Sequence, residues 1–244
     1  MTTGNPMETE KRKLLLSTRI PILFIAILWA IKLGEIATSY HLGFLGVYPL
    51  KLSGLIGILT SPLIHGSIKH LFSNSVPLFI LGSCLFYFYK GISIKVFFLI
   101  YFTTGLLVWL GAKEAYHIGA SGVVYGLASF LFFSGIFRKD VRLMAITLFV
   151  AFIYGSLIWG IFPEFFPNQN ISTESHFWGL VVGIALAFYY RKKGPQKKKY
   201  NWEYEEDEEE NENFPESNLT ITYSRKGLPV GINAENNGTP NLSI

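Results

Sequence analysis

The sequence predicts an all-α membrane protein: a bundle of six transmembrane helices with a long outer first loop and a disordered cytoplasmic C-terminal tail. Three observations predict it. Half of the residues are hydrophobic and only 16% are charged, whereas a soluble domain carries about 25% charged residues. The apolar residues gather into stretches between Arg19 and Tyr190, several of them near the roughly 20 residues that cross a bilayer core as helix. After Pro195 the composition changes abruptly, to the acidic run NWEYEEDEEENENF.

Taken in order, the chain reads as a short cytoplasmic segment (1–15), a six-span domain (16–192) and a basic, then acidic tail (193–244). The spans are expected at about 16–36, 70–89, 93–112, 120–137, 141–162 and 175–191. The polar start MTTGNPMETEKRK precedes the first apolar run, and no small-residue cleavage site follows that run, so it reads as a retained span. The link from Gly34 to Lys69 is rich in Gly, Pro and apolar residues. A loop that greasy is expected to lie partly in the outer leaflet and to pack on the bundle. The acidic run is too charged to bury and reads as disordered, although LTITYSRKGLPVGI could form a weak hairpin.

Charge sets an orientation. Residues 1–200 hold 19 Lys and Arg against 7 Asp and Glu, and residues 201–244 hold 2 against 10, so the basic pI carries no argument for nucleic acid. With the N-terminus inside, 15 basic residues fall on cytoplasmic segments, and only Lys32, Lys51, Lys69 and Lys113 lie outside or near that rim. Excess Lys and Arg marks the inner face, which predicts both termini in the cytoplasm. Small size and the bare span core suggest a bacterial cytoplasmic membrane. The single cysteine, Cys84, excludes an intrachain disulfide.

All five histidines then fall at the outer side or at outer span ends, where polar groups are costly and point to function. Three segments stand out: His65-Gly-Ser-Ile-Lys-His70-Leu-Phe-Ser-Asn74, Gly119-Ala-Ser121-Gly122-Val-Val-Tyr125, and Ser175-His176-Phe-Trp-Gly179-Leu-Val-Val-Gly183. At 100° per residue Ser121 and Tyr125 share one helix face, and His176, Gly179 and Gly183 share another. Small-residue stripes let membrane helices approach closely, which would bring His176 towards Ser121.

A serine hydroxyl becomes a nucleophile when a base takes its proton, and histidine is the usual base near neutral pH. The two aspartates, Asp140 and Asp207, read as cytoplasmic, and Glu114 and Glu174 read as turned to solvent. A Ser121–His176 dyad is therefore expected rather than a triad, with Tyr125 packed on the imidazole. The Ser121 backbone N–H at a helix head, and His70 with Asn74 one turn apart, could donate to an oxyanion. His41 and His117 read as interfacial residues with no role in chemistry.

These segments resemble the GxSG, HxxGxxxG and HxxxxHxxxN motifs of rhomboid intramembrane serine proteases, in the same order, over about residues 16–192. The resemblance implies a Ser121–His176 dyad without cofactor or metal. It implies an oxyanion hole of His70, Asn74 and the Ser121 N–H, Tyr125 stacked on His176, and His65 supporting the loop and a water site. Gly119, Gly122, Gly179 and Gly183 are the motif glycines. Substrates would be single-span membrane proteins cleaved in or near their helices from within the lipid bilayer. Two features depart from the family. Ser175 stands where rhomboids often carry alanine, and the Trp-Arg pair of many first loops is missing. Other readings are a rhomboid-like binder of client helices without catalysis, a clustered-histidine metal site, which lacks an HExxH pattern, and a transporter, for which no inverted repeat is visible.

Overall fold

The computed structural model describes residues 6–153 and 172–193, together with two strands at 219–223 and 229–234. Seven α-helices are described: α1 (Pro6–Thr38), α2 (Gly57–Thr60), α3 (Ile68–Phe88), α4 (Ser93–Gly111), α5 (Ser121–Arg138), α6 (Val141–Ile153) and α7 (Thr173–Tyr189). Residues 198–244 form a separate compact unit.

Among the described residues, four helices are long and apolar enough to cross a membrane: α1, α3, α4 and α5. This corrects the expectation of six spans. α6 is described over 13 residues and α7 over 17, so at a rise of about 1.5 Å per residue they reach about 20 and 26 Å, against about 27 Å for α5, the shortest of the four. The remainder of the expected fifth span, 154–162, lies outside the described residues. In the tail, the hairpin expected over LTITYSRKGLPVGI is present. Leu219–Tyr223 (β1) pairs antiparallel with Pro229–Ala234 (β2), with Ile221 opposite Ile232 and a register shift between Thr222 and Tyr223.

α5 is the central helix. Burial covers 72% of its most apolar window, against 17% for α1, whose side chains mostly face outward. α5 packs on α7 along one side and on α3, α4 and α6 elsewhere. The core between them holds Leu71, Leu78, Leu85, Tyr89, Ile100, Leu127 and Phe130. On the periphery α1 lies along α3, held by a hydrogen bond from Trp29 Nε1 to Ser75 Oγ at 3.1 Å and by Gly82 fitting against Pro21.

The bundle has two chemically different ends. At one, the start of α1 meets the end of α3, where the Tyr87 hydroxyl donates to Glu10 at 2.6 Å and Lys13 lies over the Tyr87 ring. At this end Arg138, at the foot of α5, donates to the carbonyls of Tyr190 and Lys193 and lies 5.1 Å from the Tyr89 ring. Arg138 thus satisfies carbonyls at the cap of α7 and just beyond it. Asp140 is bridged by Arg142 at 2.9 Å. That hydrogen bond leads the effects that hold the Asp140 carboxyl below its usual range.

The opposite end is built by the link between α1 and α3, which is folded rather than slack. It runs through 3-10 turns at Gly43–Leu45, Leu52–Ile56 and Ser61–Leu63, with α2 between the last two. Three backbone contacts seat it. Val47 and His117 exchange both backbone hydrogen bonds at 3.0 and 2.9 Å, Gly119 N donates to Ser61 O at 2.9 Å, and Leu50 N donates to Trp109 O at 3.0 Å. Trp109 Nε1 returns a bond to Lys51 O at 2.9 Å, and the Tyr101 hydroxyl donates to Leu59 O.

Candidate active site

Three helix starts meet at this end, and local capping sets each. Ser67 caps α3, its hydroxyl accepting from His70 N at 3.1 Å, so His70 lies in the first turn and Asn74 one turn further. Ser172 caps α7 by accepting from Ser175 N at 3.3 Å, which puts His176 in that first turn. α5 begins differently. Its cap residue is Ala120, with no side-chain cap, so the N–H groups beside Ser121 keep their donor capacity and the helix dipole favours negative charge there.

The glycine stripe brings α5 and α7 into backbone contact. A Cβ on Gly179 would lie 2.2 Å from Gly122 O, and one on Gly183 would lie 1.9 Å from Ser129 Oγ and 2.3 Å from Gly126 O. Dispersion packing of this kind associates helices where lipid offers no hydrophobic drive. On these facing helices the Tyr125 and His176 rings stack, with centroids 4.2 Å apart and planes within 12°. Ser121 and His176 are both buried. Tyr125 lies one turn below Ser121 on α5, so the imidazole is seated on the helix that Ser121 heads.

The turn into α5 meets the other two residues, which α3 carries. Gly119 has φ of +106°, a region that only glycine enters without strain. A Cβ there would also lie 2.6 Å from His70 Cε1 and 3.8 Å from Asn74 Nδ2. His70 and Asn74 therefore face the turn that presents Ser121. Asn74 is buried, and its Nδ2 has no hydrogen-bond partner among the described residues. A buried donor left unmade costs about 1–3 kcal/mol, so an anion arriving at this turn would meet a donor already desolvated.

His65 is 1% exposed. Its Nε2 accepts from Ala120 N at 3.4 Å, and its ring meets the His70 ring at 5.1 Å. Burial first, then the neighbouring His70, lowers its pKa to about 3, so it is neutral and serves as an acceptor. A cavity of about 20 Å³ lies beside the turn, lined by Ser61, Thr104, His117, Gly119, Gly122 and Ser175; that is room for about one water.

Two features escaped the sequence reading. Lys32 and Glu35, near the end of α1, form a buried ion pair at 3.2 Å. Lys32 Nζ also donates to His65 O at 2.9 Å, and Glu35 Oε1 accepts from Leu42 N at 2.7 Å. One pair thus clamps both ends of the 42–65 link, an anchor where the Trp-Arg pair is missing. An i,i+3 Lys/Glu spacing is a surface signature in soluble helices, and only its position in an apolar span hinted otherwise. The second is His117, expected to be interfacial and without a role, which is 6% exposed and hydrogen-bonded through both ring nitrogens. His41 is exposed. No group of three or more His, Cys, Asp or Glu suited to a metal occurs among the described residues.

Several apolar helices of spanning length, joined by a folded link and meeting at a polar helix-start cluster, define a multi-pass integral membrane protein. The chain belongs to the rhomboid family: the rhomboid domain matches residues 53–193. Among its relatives, an uncharacterized protein of Mycobacterium tuberculosis (strain ATCC 25618 / H37Rv) is 30% identical over 209 residues, covering 80% of this chain and 85% of the relative. One from Mycobacterium leprae (strain TN) is 29% identical, covering 78% of each. A Bacillus subtilis (strain 168) protein that carries the name "Putative rhomboid protease YdcA" is 28% identical over 141 residues, 54% of this chain and 65% of that one.

Proposed function

We propose that this chain is an intramembrane serine endopeptidase that hydrolyses peptide bonds in or near the transmembrane helices of single-span membrane proteins. The observation that carries the reading is the parallel stack of Tyr125 on His176 at 4.2 Å, formed where the two helices touch at Gly122 and Gly179. A ring held flat has a defined angle for its nitrogens, which a general base requires. In this reading the His176 imidazole takes the Ser121 Oγ proton as the hydroxyl attacks the scissile carbonyl, then delivers it to the departing amine. The acyl-enzyme is released by water in the same way. The carbonyl oxygen, negative in the tetrahedral intermediate, is stabilised by the Ser121 N–H, Asn74 Nδ2 and His70.

The basic end of the bundle, with Lys11, Arg12, Lys13, Arg138, Arg191 and Lys192, suits the cytoplasmic side. The helix-start cluster lies at the other end and would open to the outer face of a bacterial cytoplasmic membrane.

The test is cleavage of a single-span reporter in proteoliposomes. Ser121→Ala and His176→Ala are each expected to abolish it, and a fluorophosphonate probe is expected to label Ser121 only when His176 is intact. Full cleavage by either variant overturns the dyad. Reporter binding without cleavage or labelling in the wild type would favour a client-binding protein instead.

A further inference from the structure

We propose that His117 is a positioning residue for His176, acting through the hydroxyls of Ser172 and Ser175; the inference rests on the Ser121–His176 reading above. With the His117 ring neutral, the contacts fix one direction for every hydrogen in this chain. His117 Nε2 lies 2.9 Å from the Lys113 carbonyl oxygen. A carbonyl only accepts, so Nε2 carries the ring hydrogen and, in the neutral ring, Nδ1 offers a lone pair. Nδ1 lies 2.7 Å from Ser172 Oγ, so the Ser172 hydroxyl donates to it. The lone pairs of Ser172 Oγ then accept from Ser175 N at 3.3 Å and from the Ser175 hydroxyl at 2.6 Å. The hydrogen bonds run one way: Ser175 to Ser172, Ser172 to His117, His117 to Lys113.

This relay joins the two segments whose relative pose the dyad needs. His117 is fixed at its backbone by the two-way pairing with Val47, and Gly119 and Ser121 follow it directly. Ser172 caps the helix that carries His176, and its carbonyl accepts from His176 N at 3.3 Å. Ser175 faces the site from the other side, its carbonyl oxygen 3.1 Å from where a Cβ on Gly122 would lie. Lys113 and Glu174, flanking the relay on the same two segments, approach to 3.9 Å with the lysine exposed. An exposed pair of that kind contributes little, so the registration falls to the buried His117. If the head of α7 turns about its axis, the His176 ring swings across the face of Tyr125 and leaves Ser121. The relay resists such a turn, and Ser175, where the family often carries alanine, is part of it.

The experiment uses the full chain in proteoliposomes with a single-span reporter, comparing His117→Phe, His117→Asn, Ser172→Ala, Ser175→Ala and the His117→Phe/Ser172→Ala double variant. Phenylalanine keeps the ring volume and loses the acceptor, whereas asparagine keeps an acceptor oxygen near the Nδ1 position. His117→Phe is expected to lower kcat by about ten- to a hundred-fold with KM within about two-fold, since a misplacement of about 1 Å costs on the order of a hundred-fold. His117→Asn is expected to recover most of that loss. Because the residues act in one chain, the double variant is expected to lose no more than the worse single variant. Ser175→Ala, which leaves the helix cap in place, is expected to lower kcat in the same direction.

The proposal is overturned if His117→Phe keeps wild-type kcat, if the loss falls on KM alone, or if the losses in the double variant multiply. Should His117→Phe fail to fold, Ser175→Ala decides, and unchanged kcat in it overturns the proposal. Cleavage surviving in Ser121→Ala would instead remove the reading beneath it. An inactive Ser121→Ala beside an unaffected His117→Phe removes this inference alone.

Discussion

Removing one partner of the Lys32–Glu35 pair is expected to damage the protein more than removing both. Lys32→Met leaves the Glu35 carboxylate buried with only the Leu42 N–H, and Glu35→Gln leaves the ammonium with the His65 carbonyl and no counter-charge. Breaking a buried pair in this way costs about 3–5 kcal/mol. The double variant Lys32→Met/Glu35→Met has no buried charge left. It forfeits only the hydrogen bonds to His65 O and Leu42 N, worth about 1 kcal/mol each. Each single variant should therefore lie about 3–5 kcal/mol below the wild type and the double only about 2 kcal/mol below. At about 2–4 °C per kcal/mol for a chain of this size, a single variant melts at least about 6 °C lower. Thermal unfolding in detergent micelles, followed by circular dichroism, gives the ranking. Limited proteolysis between residues 42 and 65 should quicken in the single variants, because the clamp holds both ends of that link. Single variants indistinguishable from the wild type, or a double variant less stable than both, would refute the argument that the pair is desolvated and mutually dependent.

Three further outcomes follow from the site and the helix contact. Gly179→Ala places a Cβ against the Gly122 carbonyl and should lower stability by about 1–3 kcal/mol, whereas Gly34→Ala, which meets nothing within 4 Å, should raise it by up to about 1 kcal/mol; melting of the two variants side by side checks both signs. Asn74→Ala should reduce kcat by about a hundred-fold or more without loss of stability, since it removes a donor that is already unpartnered, and kinetics paired with a melting curve would expose a merely structural asparagine. His65 is held below its ordinary 6.5, at about 3; the unfolded chain therefore binds the proton first, and stability is complete above about 6.5 and falls as pH drops towards about 3. His65→Gln should flatten that part of a stability-against-pH profile, and an unchanged slope would mean that another group causes it.

Hydropathy and motif spacing made much of this protein legible without coordinates. Apolar runs between Arg19 and Tyr190 marked a helical membrane protein because burying a backbone in lipid demands helices. The i, i+4 relation of Ser121 to Tyr125, and the stripe His176-x-x-Gly179-x-x-x-Gly183, define helix faces by geometry alone. The 12° stack of Tyr125 on His176 and the contact of Gly179 with Gly122 lie on those faces. Helix length was less legible. The sequence reading counted six spans, and four helices reach spanning length among the described residues, because an apolar window sets helix length only to within several residues at each end.

Lys32 looks from the sequence like a rim residue and His117 like an interfacial one, and Glu35 drew no reading at all, because composition shows a polar group but not what folds over it. Only the tertiary structure brings the 42–65 link back onto α1 and the 117–119 turn, burying all three and pairing each. The residue types and their helical phase were set locally by the sequence. Lys32 finds its counter-charge locally in Glu35, but the other partners of these buried polar groups lie far along the chain, 33 residues from Lys32 to His65 and 55 from His117 to Ser172, and contacts at that range exist only once the helices have packed.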